Sequence, residues 1–95
     1  MSDIIVTLKD GKISVDESKV KASVSEKHKV KWKCHDGEFH IEFKPGSVWP
    51  NPTTTGGGGV WKAETGPFTD AGKTLSYAVK APGYETLDPE IEVIP

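Results

Sequence analysis

Apolar and polar residues alternate one by one in segment after segment of this chain. A period of two marks a strand with one buried and one solvated face, because successive side chains leave opposite sides of the backbone. In KVKWKC (29–34), Val30, Trp32 and Cys34 stand against Lys29, Lys31 and Lys33. In EFHIEF (38–43), Phe39, Ile41 and Phe43 stand against Glu38, His40 and Glu42. VKASVS (20–25), TLSYAVK (74–80) and EIEVI (90–94) repeat the pattern. IIVTL (4–8) and KISV (12–15) flank Asp10-Gly11, a dipeptide that favours a tight hairpin. With VWKAE (60–64), about seven to eight short strands are predicted, separated by turn residues. No window carries helical spacing between caps. The expectation is an all-β sandwich or barrel.

Ninety-five residues make one domain, 1–95, near the small end of chains that bury a single core. The content, 35% hydrophobic and 27% charged, is that of a folded globular protein and not of a disordered one. Net charge is −2 and the twelve basic residues are all lysine. The missing guanidinium fork argues against sequence-specific nucleic-acid or phosphate recognition. Cys34 is the only cysteine, so the fold needs no disulfide and no oxidising compartment. No stretch approaches the ~18 consecutive apolar residues of a membrane span. The start, MSDIIVTLKDG, has neither a basic region nor an apolar run of signal-peptide length. A full-length chain of this kind is expected in the cytoplasm, and one trimmed of its signal peptide in the periplasm or outside the cell.

KPGSVWPNPTTTGGGGVWKAETGPF (44–68) breaks the alternation, with four of the seven prolines and six of the ten glycines. It reads as a long irregular loop interrupted by one short strand, and such loops in small domains are usually functional. Trp49 and Trp61 bracket its glycine run. Exposed, they would anchor a ligand or partner together with Pro50, Asn51 and Phe68; buried, they would plug the end of a sandwich. Trp32 belongs to the core by its alternation.

KCHDGEFH (33–40) gathers a thiol and two imidazoles. If Asp36-Gly37 is a two-residue turn, Cys34 faces Phe39, Trp32 faces Ile41 and Val30 faces Phe43, while Lys31 meets Glu42 on the polar side. Cys34 then points inward and His35 outward, which denies a thiolate–imidazole pair its hydrogen bond. A buried free cysteine is an ordinary core residue. His35, Glu38 and His40 share the polar face near the turn and could hold a divalent copper or zinc ion loosely. His28 reads as a turn residue.

Three stretches together resemble the cupredoxin fold, the sandwich of plastocyanin- and azurin-type proteins. They are KISVDESKVKASVSEKHKVKW, FHIEF and the closing LSYAVKAPGYETLDPEIEVIP. The resemblance covers most of the chain and implies a cupredoxin-like or immunoglobulin-like Greek-key β-sandwich. It also implies that the strands at 29–34 and 39–43 sit in opposite sheets joined by an arch, an arrangement that turns the same residues inward as the hairpin does. Matched to the family's blue-copper pattern, Phe39 occupies the place of the first histidine ligand. The other ligands would fall after Tyr77, yet Val79 stands at the cysteine position and KAPGYETLDPE (80–90) holds no Cys, His or Met. A trigonal copper centre lacks its donors here.

Gly72-Lys73-Thr74 mimics the end of a phosphate-binding loop, but Pro67 stands where the motif needs glycine, and a strand follows where it needs a helix. TTTGGGG (53–59) reads as a flexible loop tip. Lys27, Lys29, Lys31 and Lys33 form an outward stripe, with Lys19 and Lys21 near it, diluted by Glu26, Glu38 and Glu42. A stripe of this kind solvates a sheet face more readily than it reads nucleic acid. The sequence therefore points to a non-catalytic binding or structural module without a cofactor, meeting an unknown protein or small ligand through Trp49, Pro50, Asn51, Trp61 and Phe68. The alternative is a copper- or zinc-binding protein using His35, Glu38 and His40.

Overall fold

The computed structural model describes residues 3–44, 51–69 and 71–95. Among these residues are nine strands and no helix. They are β1 (Ile4–Lys9), β2 (Lys12–Val15), β3 (Lys19–Ser23), β4 (Val30–Cys34), β5 (His40–Phe43), β6 (Thr55–Gly57), β7 (Val60–Thr65), β8 (Lys73–Lys80) and β9 (Glu90–Ile94). One sheet runs β2-β1-β4-β7-β6 and the other β3-β9-β8-β5. Both are mixed: β1 pairs with β4 and β3 with β9 in parallel, and the remaining pairs are antiparallel. The expected all-β sandwich is what the chain forms.

Alternation chooses the inner faces. Ile4 and Val6 of β1, Val20 and Ala22 of β3, and Ile91 and Val93 of β9 are all buried, and their polar neighbours, Ser23 apart, are not. Trp32 and Tyr77 meet at the centre, with ring centroids 5.3 Å apart and planes inclined at 69°. Trp32 Nε1–H donates to Tyr77 Oη at 3.1 Å, so the polar tips of both buried rings are satisfied by each other. A ring of Trp size buries ~150–250 Å², which at about 25 cal/mol per Å² is roughly 4–6 kcal/mol of gross stabilisation. Desolvation by burial holds the Tyr77 phenol above its ordinary value of 10.0, and the Trp32 hydrogen bond opposes that rise.

The Asp10-Gly11 hairpin forms as the sequence implies. Lys9 pairs with Lys12, and both turn residues have positive φ, 53° and 73°. The Asp36-Gly37 hairpin does not form. β4 has β1 on one side and β7 on the other, so no edge is left for β5, which pairs with β8 in the opposite sheet. Residues 35–39 are an arch between sheets, held to β1 where Leu8 N–H donates to Asp36 Oδ2 at 3.0 Å. The inward set survives this correction: Val30, Trp32, Cys34, Phe39, Ile41 and Phe43 are all buried. The cross-strand partners do not survive it. Cys34 pairs with Trp61, Lys31 with Glu64, and Glu42 forms its ion pair with Lys80.

A second correction concerns the segment read as loop. Its Thr55–Thr65 part is a hairpin, β6–β7, closed by Gly57 opposite Val60. Gly58 and Gly59 make the two-residue turn with φ of 61° and 82°, a conformation that L side chains adopt only under strain. The register places the Asp10-Gly11 turn, the 35–39 arch, the Gly58-Gly59 turn and the 81–89 segment at one end of the sandwich. Lys12 and Glu85 bridge two of them.

Candidate functional site

The outer face of the five-stranded sheet is built by the polar half of each alternating strand. Lys31 and Lys33 rise from β4, and Lys62 and Glu64 from β7. Thr55 of β6 lies opposite Lys62. Asp3, just before β1, completes the floor, and Thr53 leads into β6. Together Asp3, Lys31, Thr53, Thr55, Lys62 and Glu64 line a cleft of about 490 Å³.

Glu64 sits 3.6 Å from Lys29 and 3.7 Å from Lys31, and Asp3 sits 3.6 Å from Lys33. These contacts are long and half-exposed, so each contributes at most a few tenths of a kcal/mol. Lys62 has no ion-pair partner among the described residues. It stands directly across from Lys33 in the ladder, an arrangement of like charges that favours an incoming anion. Four lysines against two carboxylates make this face positive, although the whole chain carries −2. The lysine stripe is thus real for Lys29, Lys31 and Lys33, but Glu64 and Asp3 are what dilute it. Lys19 and Lys21 belong to β3 in the other sheet, where they pair in register with Glu90 and Glu92.

Trp61 points to the inner side of the same hairpin, half-buried and packed against the core. Its indole lies flat across Gly56. A Cβ on Gly56 would stand 2.6 Å from Trp61 Cε2 and 2.8 Å from Cζ2. Gly56 has no positive φ, so the ring and not the backbone demands glycine there. Asn51 is exposed, and its Oδ1 accepts from Phe43 N–H at 2.8 Å, which caps the free edge of β5. Phe68 is 4% exposed and lies in the core, where it offers no contact surface. Trp49 and Pro50 lie outside the described residues. Of the five residues expected at a contact surface, Asn51 and Trp61 keep some exposure, and neither lines the cleft.

The histidine cluster is brought together only in part. His40 Nε2 and Glu38 Oε2 are 3.0 Å apart and exposed. His35 is exposed and does not join them: among the described residues no group of three or more His, Cys, Asp or Glu side chains is placed to hold a metal ion. Cys34 is fully buried and free. His28 directly follows the turn at 24–27 and closes it. Its Nδ1 accepts from Ser23 N–H at 3.1 Å and its Nε2 lies 2.8 Å from Glu26 Oε2.

The cleft residues Thr53, Thr55, Lys62, Glu64 and Asp3 had not been expected from sequence. The one available signal was the pair Gly58-Gly59 between Gly57 and Val60, which is a hairpin turn as well as a flexible tip. No family model, no curated protein and no solved structure matches this chain. Among the described residues no helix is long and apolar enough to cross a membrane.

Proposed function

We propose that the chain is a non-catalytic binding module, a cupredoxin-like sandwich without type-1 copper, which meets a partner or ligand through the 44–68 segment. One observation carries this reading. The described part of that segment contains a hairpin that carries a half-buried tryptophan and an unpaired lysine and forms one side of a 490 Å³ cleft. Binding sites combine a few convergent polar groups with an apolar anchor, and this hairpin carries both, the polar groups on its outer face and the indole on its inner one.

The strand order supports the cupredoxin-like part. β4 and β5 lie in opposite sheets across an arch, and β1 sits beside β4 with β2 beyond it, while β3 sits beside β9. Phe39, at the position of the family's first histidine ligand, is wholly buried. A metal-binding reading has the Glu38–His40 pair in its favour but only two converging donors.

Titrating the metal-free protein with Cu(II) and Zn(II) in a calorimeter, and screening a peptide and fragment library by amide chemical shifts, separates the readings. The module predicts hits whose shifts cluster at residues 51–62. Metal binding lost in His40→Ala, with library hits scattered or absent, would move the function to the arch.

A further inference from the structure

Each sheet has two edges, and three of the four are protected. β2 is covered at its turn end by the bridge from Lys12 to Glu85. β5 is capped where Asn51 takes the Phe43 N–H. β3 carries Lys19 and Lys21, charges of the kind that discourage an added strand. The β6 edge, Thr55-Gly56-Gly57, has no charge, no proline and no cap among the described residues.

The register fixes which backbone groups that edge presents. Gly57 and Val60 flank a two-residue turn and so form a hydrogen-bonded pair. Pairs alternate along an antiparallel ladder, so Gly56 opposite Trp61 is a non-bonded pair. The N–H and C=O of Gly56 therefore point away from β7, toward the open side. The Trp61 indole spreads over Gly56 on the inner side. On the outer side a Cβ at Gly57 would meet nothing within 4 Å. Lys62 stands one strand in, opposite Thr55 and without an acidic partner.

From these we infer that β6 is a docking edge for an extended segment of a partner protein, one that alternates apolar and acidic residues. The inference rests on the reading of 44–68 as the binding region and names the partner's chemistry. The residue paired with Gly56 exchanges hydrogen bonds with its backbone and lays an apolar side chain against the indole. The residues on either side of it point to the outer face. There they cross Thr55 and the empty space over Gly57, and a carboxylate reaches the Lys62 ammonium. Because β6 is short, only about two backbone hydrogen bonds are gained, and selectivity comes from Trp61 and Lys62.

The test follows backbone amides of the isotopically labelled full chain while a peptide of alternating valine and glutamate, about ten residues long, is added. A valine–lysine peptide and a valine–glutamate peptide N-methylated along one edge are the controls. Strand addition predicts that the Gly56 amide shifts and becomes protected from solvent exchange. The N-methylated probe should fail, and Lys62→Glu should cut the preference for glutamate by about two- to fivefold. Equal binding of the lysine peptide would overturn the inference, as would Gly56 shifts that grow with protein concentration in the absence of peptide, which would make a second copy the occupant. Shifts at Thr53, Trp61 and Lys62 with a silent Gly56 amide would sink strand addition while leaving the binding region intact. Silence throughout 51–62 would sink both.

Discussion

Tyr77 shows how one side chain ties packing to pH. Its hydroxyl accepts the Trp32 indole hydrogen in the middle of the core, and burial keeps its proton on above the ordinary 10.0. The unfolded chain therefore gives up this proton first as pH rises, and then binds fewer protons than the folded one. Stability is level below about pH 10 and falls as pH climbs from there toward the folded value. Tyr77→Phe removes the acceptor and leaves Trp32 Nε1–H buried without a partner, at a cost of about 1–3 kcal/mol near neutrality. It also removes this contribution to the alkaline decline. Urea denaturation of both proteins at neutral pH and again above about pH 10 should show the variant weaker at first and the gap narrowing with pH. Groups common to both proteins cancel in the difference, so a constant gap would sink the assignment.

At the scale of the element, the β6–β7 hairpin shows where a sequence stops being legible. Strands whose faces differ in polarity were readable, because Val30, Trp32 and Cys34 against three lysines leave a single choice of inner face. The β1–β2 turn was readable for the same local reason. Which strands pair was not: alternation turns Cys34 inward whether β5 lies beside β4 or across the core from it, and only the occupation of both β4 edges decides. β6 was invisible because glycines carry no side chains to alternate, and its order derives from Trp61 in the neighbouring strand. The cleft shared that fate, since Asp3, Thr53 and Glu64 meet only once the sheet exists. Gly56→Ala tests the tie between strand and ring. The new methyl would overlap Trp61 ring atoms at 2.6–2.8 Å, and pushing the ring aside should cost about 1–3 kcal/mol. In a Trp61→Val background the same change should cost little, and a double-mutant cycle in urea reads the coupling. An equal cost in both backgrounds would place the constraint in the backbone instead.

Across the whole molecule, the parallel pairs decide how the sandwich holds together. β1 lies beside β4, and β3 lies beside β9 at the far end of the chain, so the early strands are locked into both sheets by later ones. No subset of consecutive strands closes the core, and such long-range pairing favours cooperative unfolding. Cys34 offers a probe of that cooperativity. It ends β4 next to the arch, between the sheets, and is 0% exposed. A thiol so placed meets an aromatic disulfide reagent only when the sandwich opens. If opening is global, the free energy obtained from labelling under native conditions should equal that obtained from urea unfolding followed by circular dichroism. A labelling value lower by more than about 1 kcal/mol would mean that residues 35–39 lift away while the sheets stay paired. Asp36→Ala distinguishes the cases further, because it releases the Leu8 hydrogen bond that fastens the arch to β1. It should speed labelling no more than it lowers global stability if the molecule opens as one unit, and considerably more if the arch opens alone.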